Sequence, residues 1–357
     1  MTRLNDIIAK IEPIDLDALE KARNHTAELC MPPRALGRLH EIGELLCGIM
    51  RSLNPSVKKK GFLVMAGDHG VVKHGVSAFP QEVTGEMVKN FVRGGAGINA
   101  LARQFPAEVV VVDMGIVPDL PDAIQGENRF IKKRIAPGTN DFTSGPAMSR
   151  QQAEEAILAG FDLAAAMFAR GITLLGTGDM GIGNTTPSSA IGAVITGQSV
   201  EDMTGRGTGI SDASFQKKCE IIKAAISVNH PDPADGIDVL SKVGGFEIGG
   251  IAGLVLAAAY HKKPVVIDGL ISTAGALIAH TLCPIVSQYA FAGHCSVEQG
   301  HKHMLAHLGL APIVNLDLRL GEGTGAALAM HIIEAACRVF NEVHTFRQAE
   351  VSKGNNG

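Results

Sequence analysis

The chain has 357 residues, 46% of them hydrophobic and 19% charged, with a formal net charge of -4. That balance builds a sizeable globular core and argues against disorder. It offers no basic field for nucleic acid or an anionic membrane, and with no Trp and only 2 Tyr there is no base-stacking platform.

The N-terminal stretch MTRLNDIIAKIEPIDLDALEKA carries acids every few residues and no apolar segment of signal-peptide type. Six scattered cysteines (Cys30, Cys47, Cys219, Cys283, Cys295 and Cys337) form no CxxC and no metal-ligand spacing. The expectation is a cytoplasmic protein with reduced thiols. The longest apolar stretch, 248–260, is too short to span a bilayer.

Leu16, Leu19, Ala22 and Leu29 recur at helical spacing, and a second helical pattern follows Pro32-Pro33 in RALGRLHEIGELLCGIM. Apolar runs ending in glycine turns predict strands at 62–66, 109–112, 172–175, 265–267 and 313–320. Helical patterns predict helices at 84–104, 149–170, 248–261 and 324–343, with Ser149 and Gln152 placed as a capping box. Strands that alternate with helices and are apolar throughout imply a mostly parallel, Rossmann-like sheet with helices on both faces. In such folds the site lies at the carboxyl ends of the strands. The 42 glycines, about 12% against a usual ~7%, gather at those places. The tail VSKGNNG is expected to be disordered.

Five stretches could carry chemistry. In GTGDMGIGNTTPSSAI, residues 176–191, a glycine turn leads into a helix that Thr185 or Thr186 could cap and Pro187 could open. Backbone N–H groups there could wrap a phosphate, although Asn184 stands where a P-loop has its lysine. The other reading is a tight turn with no ligand. GRGTGISD, residues 205–212, is either a flexible loop or a second anion nest, and Lys217 and Lys218 beyond it supply either a cation or a solvated face. Glu322 in RLGEGTGAALAM sits at the end of a strand before a helix. It is a candidate base, or else a first-turn acid favoured by the helix dipole. Asp68 and His69 in AGDHGV read as structural hydrogen bonding. His294, His301 and His303 in FAGHCSVEQGHKHML make a weak metal pattern, and Ser296 is a more plausible phosphate or sugar contact. GxSxG, kinase and Cys-His signatures are absent, as is a paired-acid motif for magnesium pyrophosphate.

Taken together these stretches resemble the nicotinate-nucleotide–dimethylbenzimidazole phosphoribosyltransferase family of cobalamin lower-ligand activation. The resemblance runs from about residue 30 to 340. It is carried by MPPRALGRLHEIG, AGDHGV, GPAMSRQQAE, GTGDMGIGNTTP, NHPDPADGIDVLSKVGGFEIGGIAG, PVVIDGLISTAGALIA and LRLGEGTGAALAMHIIEAAC. It implies transfer of a 5-phosphoribosyl group from nicotinate mononucleotide to a benzimidazole by a homodimer without cofactor or metal. It implies a large α/β domain, residues 56–334, and a small helical domain made from residues 1–55 and 335–357. Glu322 falls at the family's proton acceptor, with Asp179 as a second catalytic acid where many members carry Glu. Gly181, Gly183, Asn184, Thr185, Thr186, Gly207, Lys218 and Ser296 fall at nucleotide and phosphate positions. Phe79, Met87 and Leu320 fall at the acceptor base. The competing readings are a nicotinamide-dinucleotide oxidoreductase, from GxGxxG at 176–181 with Glu201 and Asp202 about 20 residues on, and a non-enzymatic nucleotide sensor.

Overall fold

A computed structural model describes residues 2–121, 124–207 and 211–353. In chain order the elements begin with α1 (Arg3–Ile8), α2 (Leu16–Glu28), α3 (Arg38–Met50), β1 (Lys60–Gly67), α4 (Val83–Arg93) and α5 (Gly97–Ala102). They continue with β2 (Ala107–Gly115), β3 (Arg129–Lys132), α6 (Arg150–Ala169), β4 (Leu174–Met180), α7 (Thr185–Thr196), α8 (Val200–Met203), α9 (Asp212–Asn229) and α10 (Gly236–Val243). The last are α11 (Phe246–Tyr260), β5 (Val265–Ile267), α12 (Leu270–Leu282), β6 (Ala290–His294), α13 (Gln299–Leu308), β7 (Pro312–Val314) and α14 (Thr324–Glu342).

The seven strands form one parallel sheet in the order β3-β2-β1-β4-β5-β6-β7. The order reverses direction between β1 and β4, the place where loops diverge and leave a crevice in doubly wound sheets. β1 is buried at every residue, as a central parallel strand must be. Its Lys60 is no exception: the ammonium meets Glu334 at 2.6 Å and lies over the Phe105 ring.

Helices cover both faces. α6 and α11 pack so closely that a Cβ on Gly160 would lie 1.9 Å from the Gly250 carbonyl oxygen. Part of the glycine excess therefore serves backbone contact between helices. α3 crosses α14 at Gly43, where a Cβ would lie 3.1 Å from the Ala336 carbonyl oxygen. The N-terminal helices thus rest on the far half of α14, with Ala22, Cys47 and Phe340 forming a small apolar cluster of their own. α14 runs unbroken through residue 335, and its near half lies against β4, β5 and β6.

Several expected elements differ in detail. The segment 84–104 is two helices, because Gly94 turns left-handed at φ +84 and ends α4. The strand expected at 313–320 stops at Val314, and the chain then runs irregularly along the sheet's carboxyl edge. β3 and β6 were not expected: RFIK is half polar, and AFAGH is short and rich in small residues. The capping box at α6 forms, with the Gln152 N–H donating to Ser149 Oγ and the Ser149 N–H to Gln152 Oε1.

Candidate active site

A cavity of about 680 Å3 opens at the carboxyl edge of the sheet. Its wall takes Asp179 from the end of β4, Gly181, Asn184 and Thr185 from the turn into α7, and Gly207 before α9. His294, Ser296 and Glu298 come from the end of β6, and 317–322 from the irregular run before α14. Phe79 and Met87 close the side nearest α4.

The glycine stretch is built differently from the pattern its spacing suggests. Gly176 and Gly178 lie inside β4, not in a turn. A Cβ on Gly176 would meet the Phe62 ring at 2.4 Å, and one on Gly178 would meet the Glu322 carbonyl oxygen at 2.5 Å. These glycines give room to neighbours and make no dinucleotide turn, and Glu201 and Asp202 sit on the exposed side of short α8. The oxidoreductase reading loses its motif.

The turn proper is 181–184. Asn184 occupies the cap position of α7 and neither Thr185 nor Thr186 caps, because both are already in the helix. Asn184 Nδ2 instead donates to Asp179 Oδ2 at 3.0 Å. The Asn184 side chain makes no cap hydrogen bond to the first turn of α7, and Thr185 there lines the cavity. A helix start left open in this way suits an anion.

Lys218 does not lie on a solvated face. It is 1% exposed, and its Nζ donates to Thr185 Oγ1 at 2.7 Å from behind the wall. Burial pulls it down to about 8, against the opposing pull of Glu298. Lys217 next to it is exposed. Glu298 is buried beside Lys218 and the Gly207 N–H, and burial raises it above the ordinary carboxyl range.

Glu322 is held from two directions. Its carboxylate accepts the Ile98 N–H at 3.0 Å, at the start of α5. Its backbone is left-handed at φ +63, between Gly321 at +78 and Gly323 at +96. A non-glycine residue in that region persists where its surroundings over-determine it, and such residues concentrate at functional sites. Burial raises Glu322, while the Ile98 and Gly97 N–H groups lower it and the Asp268 charge raises it further. Burial also pushes Asp179 up to about 8, helped by the charges of Asp268, Glu247 and Glu322 and opposed by Asn184. At neutral pH Asp179 is therefore mostly the neutral acid, and among the described residues its Oδ1 has no hydrogen-bond partner.

Of the sequence-derived residues, Glu322, Asp179, Gly181, Asn184, Thr185, Gly207, Ser296, Phe79, Met87 and Leu320 share this wall. Gly183, Thr186 and Lys218 stand behind it. Gly183 holds the turn at φ +85, and Thr186 is fully buried. The sequence reading gave no role to Glu298, Arg319 or Asp268. The position of Asp268 at the carboxyl end of an apolar run, in VVIDG, was the available signal.

His301 and His69 are tied to neighbours within the fold. His301 uses both ring nitrogens: Nδ1 accepts the Ser296 N–H and Nε2 meets Thr273 Oγ1 at 2.8 Å. His69 lies fully buried with Nε2 2.9 Å from Glu247 Oε1, which outweighs burial and raises it. Asp68 accepts the Val117 N–H at 2.7 Å. Among the described residues no group of three His, Cys, Asp or Glu side chains is placed to hold a metal, and no helix is long and apolar enough to cross a membrane.

Comparison with known proteins agrees with this architecture. A family model described as phosphoribosyltransferase matches residues 11–351. A nicotinate-nucleotide–dimethylbenzimidazole phosphoribosyltransferase of Geobacter metallireducens is 52% identical over 354 residues, 99% of each chain. One from Desulforudis audaxviator is 51% identical over 356 residues, 100% of each. The crystal structure of CobT from Thermus thermophilus superposes with a TM-score of 0.90 at 43% identity, covering 95% of this chain and 100% of that one. With its doubly wound sheet, its acid-lined cavity and this likeness over the full length, the chain belongs to the nicotinate-nucleotide–dimethylbenzimidazole phosphoribosyltransferase family.

Proposed function

We propose that this chain transfers the 5-phosphoribosyl group from nicotinate mononucleotide to 5,6-dimethylbenzimidazole, giving α-ribazole 5′-phosphate and nicotinate for the nucleotide loop of cobalamin. The observation that carries the reading is Glu322: a buried carboxyl, raised by burial above the ordinary carboxyl range, on the wall of a cavity that also holds a helix start without a side-chain cap. A base and an anion site in one cavity suit a reaction that deprotonates an azole while gripping a phosphate.

The chemistry follows from the substrates. The nicotinate of the nucleotide is a cationic pyridinium, so its departure needs no acid. C1′ takes on oxocarbenium-like charge, and the benzimidazole nitrogen attacks the opposite face, which inverts β to α. Glu322 removes the proton from the other ring nitrogen. The first turn of α7, with Thr185, Ser296 and Gly207, holds the phosphate, and Lys218 supports it through Thr185. Phosphate binding remote from C1′ supplies energy for orienting the two substrates. Phe79, Met87 and Leu320 line the acceptor. Neutral Asp179 donates a hydrogen bond rather than charge, at the edge shared by Glu322 and the α7 turn.

The protein works as a cytoplasmic homodimer, in which a large α/β unit, 56–334, carries the cavity and the N- and C-terminal helices form a small unit. For the dimer the support is Phe79 and Leu320, which are 52% and 61% exposed at the cavity mouth, apolar surface that a second copy would cover.

The test is a chromatographic product assay with purified protein, both substrates and EDTA. The expected result is α-ribazole phosphate with stoichiometric nicotinate. Nucleotide binding without product from any benzimidazole, adenine or phenol would reject the transfer reaction.

A further inference from the structure

The carboxylate that governs the Glu322 loop comes from a different strand. Asp268 follows β5 and is 1% exposed. Its Oδ2 accepts the Gly323 N–H at 3.1 Å, and its Oδ1 accepts the Ala326 N–H at 2.9 Å. Its own N–H donates to Thr177 Oγ1 at 3.0 Å, two residues before Asp179 on β4. One residue thus ties the base loop, through its side chain, to the strand that carries the second acid, through its backbone N–H.

We propose that Asp268 is a positioning residue, fixing Glu322 on the cavity wall and acting on it as a buried charge. The inference rests on Glu322 being the base.

Two observations argue beyond an ordinary helix cap. A cap needs one oxygen from a local Ser, Thr, Asp or Asn. Here the cap position is Gly323 at φ +96, and both oxygens of a remote carboxylate are used instead. That arrangement leaves the residue before the cap free to be Glu322 in its left-handed conformation. With the Ile98 N–H on the side chain and Asp268 on the backbone just beyond, the strained residue is held at both ends.

The second observation is the company the carboxylate keeps. Burial raises Asp268, and His294 together with the Ala326, Gly323 and Gly325 N–H groups, which suit the ionised form, opposes that. Asp179 faces the same space from β4 and Glu247 lies behind it on α11. Glu298 and Arg319 stand further round the cavity, with Lys218 behind its wall. His294 from β6 is the nearest group able to offset Asp268, with Nε2 3.8 Å from Oδ1. The charge of Asp268 opposes ionisation of both Glu322 and Asp179. It therefore keeps the base proton-hungry at the pH where it works.

The experiment reads the carboxyl directly and needs no turnover. The full chain is labelled with carboxyl-13C glutamate and titrated by NMR, with Glu322→Gln identifying the resonance. In Asp268→Asn the Glu322 midpoint is expected to fall by about one unit, the scale of a lost neighbouring charge. In the product assay kcat falls by up to about 10²-fold from misplacement, with KM for nicotinate mononucleotide little changed. Asp268→Ser, smaller and still able to accept an N–H, serves if the amide variant does not fold. A midpoint that stays in place overturns the inference, and so does wild-type turnover in a folded variant. A midpoint that falls in a protein whose wild type makes no α-ribazole phosphate would sink the transfer reaction and support the role of Asp268.

Discussion

Gly178 and Glu322 meet backbone to backbone: a Cβ on Gly178 would lie 2.5 Å from the Glu322 carbonyl oxygen and 2.9 Å from its carbonyl carbon. The base loop therefore lies directly on β4, with no side chain between. Gly178→Ala must push that loop off the strand, because the opposing atoms are backbone and cannot rotate away. The expected outcome is a folded protein whose kcat drops by about 10²-fold through misplacement of the base. KM for the nucleotide should change little, since the α7 turn lies further along the chain. A variant with wild-type kcat would show that the loop moves without consequence.

Replacing the base itself is the sharper test. Glu322→Gln keeps the hydrogen bond from the Ile98 N–H but cannot take a proton. Turnover should fall by about 10²–10⁴-fold, the usual range for a general base. Because burial places Glu322 above its ordinary range, wild-type kcat/KM should rise with pH through a midpoint above that of an exposed glutamate. The variant should lose that rise. Steady-state profiles of both proteins, measured from pH 4.5 to 8, decide it.

The sheet was legible because its central strands are apolar throughout and end in glycine turns. β3 and β6 escaped because RFIK alternates and AFAGH is built of small residues, so neither shows a continuous apolar run. The site was legible where chemistry sits at the end of a strand, as for Asp179 and Glu322. Spacing misled for Gly176 and Gly178: glycines chosen for close approach look the same in sequence as glycines chosen for a phosphate turn. Lys218 was ambiguous for a related reason. A helical Lys pair does not reveal which member faces inward, and only packing against Thr185 does.

The phosphate end makes a prediction about which substrate suffers. Lys218 meets the cavity wall through Thr185 Oγ1, beside Glu298 and Gly207. Lys218→Met should raise KM for nicotinate mononucleotide by about ten-fold or more, the worth of one charge-assisted hydrogen bond. KM for dimethylbenzimidazole should hardly move. Burial draws the ammonium down to about 8, so in the wild type the nucleotide KM should climb as pH rises past that value. The variant should show no such climb. Equal losses for both substrates would contradict the phosphate assignment.

Asp179 makes a prediction about stability rather than rate. Its carboxyl is pushed up to about 8 in the folded protein, chiefly by burial, against about 3.8 in the unfolded chain. Between those values the native state holds a proton that the unfolded state has lost. Stability therefore falls as pH rises across that window. Asp68, Asp113, Glu298 and Glu322 are displaced in the same direction, while burial lowers His40, His261, His280 and His301, whose contribution runs the opposite way, so the test is the difference between two proteins rather than the slope of one. Asp179→Asn cannot ionise, so from pH 5 to pH 8 its melting temperature should rise relative to that of the wild type. The variant should gain on the wild type most at the alkaline end, where the wild-type carboxyl is forced to ionise among Asp268, Glu247 and Glu322. Parallel melting curves for the two proteins across the range would mean that Asp179 is already ionised at pH 5, and that it meets the substrates as an anion.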